Sequence, residues 1–170
     1  MRPAEFVPLG ATEKRPRALW LAPLCVVIGS MATLLPMVAT FPFLPPFGLM
    51  FLLAWRLQRA DSLKVWAAVP LGLLDDMMSG QPIGSAMLLW TTCFIVIDVL
   101  DARLVWRDFW QDWLLASGAL GFCLVAGRFV AVRVSAHVDT ALVIQVLISC
   151  ALYPLIARFC ARLDRDPHKS

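Results

Sequence analysis

The sequence predicts an all-α fold, a polytopic membrane protein built as a six-transmembrane-helix bundle. Hydrophobic residues make up 60% of the 170 and charged residues only 16%, with a mean hydropathy of +0.75. A soluble domain of that size has too little interior to hide so much apolar surface. The apolar residues also run in long blocks with the charges pushed to the block ends. That is the layout of spans that must close their backbone hydrogen bonds inside lipid. One membrane domain takes up nearly the whole chain, leaving no soluble catalytic domain.

A polar stretch over 1–17, with Lys14, Arg15 and Arg17, reads as a cytoplasmic tail before an uncleaved first span at 18–38. A signal peptide opens with the same grammar. Phe41-Pro42-Phe43-Leu44-Pro45-Pro46 cannot be helical throughout, because proline lacks the amide donor and disfavours helix in the residue before it. The second span, 46–57, opens on a proline where helices tolerate one. It is short, covering about 20 Å at 1.5 Å per residue. A polar turn containing Arg56, Gln58, Arg59, Asp61 and Lys64 leads into the third span, 63–78, which is interrupted by Pro70 and Gly72 and ends in Asp75-Asp76. Ser79-Gly80-Gln81-Pro82 is a tight turn by its Gly and Pro chemistry, and the fourth span is 83–100. Trp106, Trp110 and Trp113 then fall at i, i+4 and i+7, lining one face of a segment over 101–112 that should lie in the membrane interface. Spans five and six are 113–132 and 140–159, and a charged cytoplasmic tail over 161–170 closes the chain.

Six crossings place both termini on one side. Thirteen of the fifteen basic residues fall on that side, and only Arg128 and Arg133 belong near the other. The rule that counts Lys and Arg in short loops therefore makes the termini cytoplasmic. The five cysteines sit in apolar blocks with no metal or redox spacing, and they read as small apolar packing residues.

Ionisable residues inside spans cost roughly 2.5–3.5 kcal/mol each near a helix centre, so each needs a reason. Ala68, Gly72, Asp75 and Ser79 share one helix face of small or polar residues, which should turn Asp75 into the bundle. Asp76, 100° further round, should sit nearer a flank or the mouth. Arg128 on span five and Gln145 on span six lie at a similar depth, so Asp75, Asp76, Arg128 and Gln145 form a candidate buried polar cluster. Arg128 is the expected counter-charge of Asp75. The cluster reads as a structural ion pair, a pocket for a small molecule, or a proton path, although the last lacks acids at successive depths. Asp98 and Asp101 should meet Arg103, Arg107 or headgroups. Asp75→Ala should disturb assembly more than Asp76→Ala. His137 and His168 lie in a loop and a tail, and no H-E-x-x-H, Walker or G-x-S-x-G motif is present. We therefore expect no catalytic residue, metal or cofactor.

The run Gly72-Leu73-Leu74-Asp75-Asp76-Met77-Met78-Ser79-Gly80-Gln81-Pro82-Ile83-Gly84 resembles the signature of the rod shape-determining MreD family: a Gly-Leu-x-x-Asp helix end, a Gly-containing turn and a second Gly opening the next span. Pro45-Pro46 followed by Leu49, Leu52, Trp55 and Arg56 is similar to that family's second span. In physical terms Gly72 admits a neighbouring backbone, Gly80 and Pro82 permit the reversal, and Gly84 should let spans three and four cross closely. Arg128 and Asp76 match no residue of the family pattern. The resemblance implies a non-enzymatic inner-membrane subunit of the bacterial cell-elongation machinery that binds MreC. Further implied partners are MreB, RodA and its partner transpeptidase. It also implies an architecture similar to the substrate-binding S-components of energy-coupling-factor transporters. The alternative is a carrier subunit for a vitamin-type small molecule. Membrane lipids at the basic inner rim and a homodimer complete the expected partners, with no nucleic acid.

Overall fold

The computed structural model describes residues 16–34, 45–59, 63–80, 82–103, 109–131 and 139–164. Among these the chain forms α-helices and short 3-10 turns, with no strand. Helix α1 is Pro16–Met31, continued by a 3-10 turn at Ala32–Leu34, and α2 is Phe47–Gln58. A 3-10 turn at Val65–Ala67 leads into α3, Ala68–Ser79; α4 is Ser85–Asp101, α5 Phe109–Ala131 and α6 Asp139–Asp164. Residues 1–15 and 165–170 of the expected tails, the Pro-rich residues 41–44, Gln81, Trp106, Arg107, Arg133, His137 and His168 lie outside the described residues, while 16–17 and 161–164 belong to α1 and α6.

Two expectations about local structure need correction. Pro70 and Gly72 do not interrupt the third helix: Pro70 falls in the first turn of α3, where its missing amide has no intrahelical acceptor to disappoint. Trp110 and Trp113 belong to no separate interfacial segment, because α5 already starts at Phe109. Trp113 Nε1 donates to the carbonyl of Cys150 at 3.1 Å, so this indole clips α5 to α6, while Trp110 stays exposed beside it.

Helices Phe109–Val130 and Thr140–Asp164 are long and apolar enough to cross a membrane. The shortest described helices take a different role. In α2, with 12 residues, Gly48, Leu49, Met50, Leu52, Leu53, Ala54, Trp55, Arg56 and Leu57 are all buried. A helix apolar all round must be enclosed or face lipid, and α2 is enclosed, packed by α1, α5 and α6. Helix α3 packs on α1 and α4, α4 on α5, and α5 on α6. The outer wall is greasy: Trp20 and Ile83 are each 80% exposed, and Leu88, Leu114, Phe129 and Leu147 also face outward. Such a surface is stable against hydrocarbon and unstable against water.

Helices α3 and α4 pack closely as a hairpin. A Cβ built on Gly72 would lie 2.6 Å from Met87 Cα, 2.8 Å from Met87 N and 3.0 Å from the Ala86 carbonyl carbon. All three atoms are backbone, so no rotamer change relieves the clash. Gly72→Ala should therefore lower thermal stability in detergent by about 1–3 kcal/mol, the usual cost of overpacking. Gly121→Ala, with no atom within 4 Å of the new methyl, should leave the melting temperature unchanged or raise it.

Candidate functional site

Both ends of the bundle carry polar groups, and those groups come from distant parts of the sequence. The C-terminal ends of α3 and α5 and the N-terminal ends of α2, α4 and α6 meet at one end, where they line a cavity of about 230 Å³.

Residue Asp76 organises the corner beside it. Gly80 adopts φ +66° and Gly84 φ +98°, left-handed values that glycine reaches without penalty. They turn the chain so that the first residues of α4 face back onto α3. Gly84 stands at the N-cap of α4 and has no side chain to accept from the free amides. The Asp76 carboxylate does so instead. It accepts from Gly84 N at 2.9 Å, Ala86 N at 2.8 Å, the Ser85 hydroxyl at 2.8 Å and, at longer range, Met87 N at 3.4 Å. A carboxylate at a helix N-terminus also meets the positive end of the helix dipole. At 1% exposure, Asp76 is the buried acid of the pair, which corrects its expected place at a flank. The role expected of Gly84 changes too, since a Cβ there would meet nothing within 4 Å. Its contribution is the turn, and the close crossing belongs to Gly72.

Asp75 is half-buried and turned toward the cavity. A methyl on Gly48 of α2 would collide with Ser30 Oγ and lie 3.1 Å from Asp75 Oδ1, so the carboxylate, the serine of α1 and the glycine of α2 share one small space. The Ser79 hydroxyl donates to the Asp75 carbonyl at 2.7 Å. Arg128 and Gln145 line the same cavity from α5 and α6, together with Trp90 of α4. The structure thus brings Asp75, Arg128 and Gln145 around one space and leaves Asp76 out of its lining. The expected Asp75–Arg128 ion pair is absent: the two charges stand on different walls, and none of the ion pairs among the described residues joins them.

The opposite end holds a site that sequence reasoning did not see. Arg56, 2% exposed at the end of the central helix, places Nη2 2.7 Å from Asp98 Oδ1 and Nη1 3.3 Å from Asp101 Oδ2. Its guanidinium also stands 5.9 Å from the Phe94 ring centroid, within cation–π range. Arg59 pairs with Asp164 at 3.0 Å, and the Gln58 amide donates to the Ala157 carbonyl at 2.6 Å. So Asp98 and Asp101 both meet Arg56 from α2, and among the described residues no ion pair joins them to the neighbouring Arg103. Asp98 and Asp101 at i and i+3 on one face were the available signal.

Cys93 of α4 and Cys123 of α5 approach to 3.3 Å between sulfurs as free thiols, a proximity that no sequence spacing reveals. No cluster of three or more potential metal ligands occurs among the described residues.

A family model described as rod shape-determining protein MreD matches residues 14–163 of the chain. No curated protein and no solved structure matches.

The two neighbouring acids should separate cleanly in mutagenesis. Asp76→Ala strands the Gly84 and Ala86 amides and the Ser85 hydroxyl, and should cost about 3 kcal/mol or more. Asp75→Ala should cost less, reversing the order expected from the helical wheel. Thermal unfolding of both variants in the same detergent checks this, and an equal or larger loss for Asp75→Ala contradicts it.

Proposed function

The chain belongs to the rod shape-determining MreD family, and on that premise we propose that it is a non-enzymatic scaffold of the cell-elongation machinery in the bacterial cytoplasmic membrane. It crosses the membrane six times with both termini in the cytoplasm and holds the transmembrane helix of MreC and the segment next to it. Through that contact it helps couple MreB filaments to the peptidoglycan synthase formed by RodA and its partner transpeptidase.

The family match over 14–163 carries this reading. The distribution of charge supports the orientation: Arg56, Arg59, Arg103, Arg158 and Arg162 gather at the end where α2, α4 and α6 finish, while Arg128 stands at the cavity end. Positive charge is retained on the cytoplasmic side. A gripping role is further supported by the groove between α4 and α5, about 300 Å³ and lined by Cys93, Ile97, Leu115, Gly118, Ala119 and Phe122. Small residues in a lipid-facing groove expose backbone to a passing helix, and close van der Waals contact is what holds helices together where there is no hydrophobic drive. The carrier alternative draws its support from the cavity alone.

Co-expression with MreC followed by detergent extraction tests the scaffold. MreC should remain bound through purification. Gly118→Trp should fill the groove and release MreC by about tenfold without lowering the amount of inserted protein, because nothing lies within 4 Å of a Cβ at Gly118. Failure of the wild-type pair to co-purify would overturn the reading. Full retention by Gly118→Trp would move the contact off this groove.

A further inference from the structure

The cavity at the Gly80 end presents an arrangement that a purely structural core would not keep. Asp75 projects from α3 and Arg128 from α5, each lining the same space of about 230 Å³, with no ion pair between them. Two opposite charges beside one cavity, both partly withdrawn from water, gain most simply from direct pairing. Holding them apart on separate walls forgoes that gain and leaves one negative and one positive pole facing a shared gap.

Such a gap complements a molecule with the reverse polarity. We propose that it binds a zwitterionic group bearing an anionic phosphate and a primary ammonium, the phosphate on Arg128 and the ammonium at Asp75. A guanidinium offers a planar fork of donors to phosphate oxygens. An ammonium has three donors, which suits the Asp75 carboxylate where it lines the cavity. Trp90, Leu89 and Leu124 supply the remaining apolar wall. The space of about 230 Å³ is large enough to take a phosphoethanolamine group. Next to the cavity, the outer faces of α5 and α6 expose Phe129 and Val143, a surface on which lipid chains can lie.

The chemistry has two sources, a phosphatidylethanolamine headgroup and free phosphoethanolamine, and one experiment separates them. The full chain, delipidated in detergent, is titrated with phosphatidylethanolamine, phosphatidylcholine, phosphatidylglycerol or soluble phosphoethanolamine while thermal unfolding is followed. Phosphatidylethanolamine should raise the melting temperature by several degrees more than phosphatidylglycerol, which has no cation, or phosphatidylcholine, whose methylated nitrogen cannot donate to Asp75. Asp75→Asn should erase the margin over phosphatidylglycerol, and Arg128→Gln should weaken half-saturation for both lipids by about tenfold. A matching rise with soluble phosphoethanolamine supports the site and assigns it a free ligand; a rise with the lipid alone supports it and assigns the membrane. Should either variant fail to accumulate, Ala141→Phe fills the cavity from the α6 wall and must remove the margin as well. Equal stabilisation by all three lipids, or a margin that survives Asp75→Asn or Ala141→Phe, overturns the proposal.

Discussion

One carboxylate sets the geometry of the cavity end. Hydrocarbon offers no water to the first amides of a helix, so a buried helix start must find acceptors within the protein or forfeit several kcal/mol. Helix α4 opens on Gly84, which brings no acceptor of its own, and Asp76 supplies both oxygens from the preceding helix. With that contact made, α3 and α4 are locked in a register that presses Gly72 onto the backbone of Met87. Asp75, one residue earlier, is thereby aimed at the cavity, and the wall formed by Ala86, Leu89 and Trp90 is set opposite α5 and α6.

The other end is held by charge on the central helix. Burying the Arg56 guanidinium is tolerable only because Asp98 and Asp101 reach it from α4. Arg59 and Gln58 then fasten the same helix end to α6. The bundle is thus fastened by polar contacts at both ends, local in sequence around Asp76 and long-range around Arg56 and Arg59. The middle is left to apolar side chains such as Leu52, Leu53 and Leu120, which are fully buried.

Much of this was legible in the sequence. Family membership, helical class and membrane character follow from the Gly72–Gly84 run and from the blocks of apolar residues, because lipid imposes long apolar helices with little latitude. The grouping of Asp75, Arg128 and Gln145 around one space could be anticipated from their depth along the helices. Position on a helical wheel failed for Asp75 and Asp76. A wheel reports the face from which a side chain starts, and Asp76 is drawn inward by the free amides of a helix eight residues further along. The wheel also could not pair Arg56 with Asp98, or Cys93 with Cys123, since both depend on which helices become neighbours. Pro70 misled for a related reason: its effect depends on whether it falls in the first turn or the interior, and that hangs on where the 3-10 turn at Val65–Ala67 hands over to α3.

The brevity of α2 has a consequence for biosynthesis. Twelve residues give about 18 Å of helix, less than a bilayer core of roughly 30 Å, and its last turn carries Arg56, which is costly to expose to lipid. A nascent chain cannot leave such a piece to equilibrate alone in the membrane. Arg56 and the adjoining Arg59 find their carboxylates on α4 and α6, so this short helix is satisfied only when both later helices are in place.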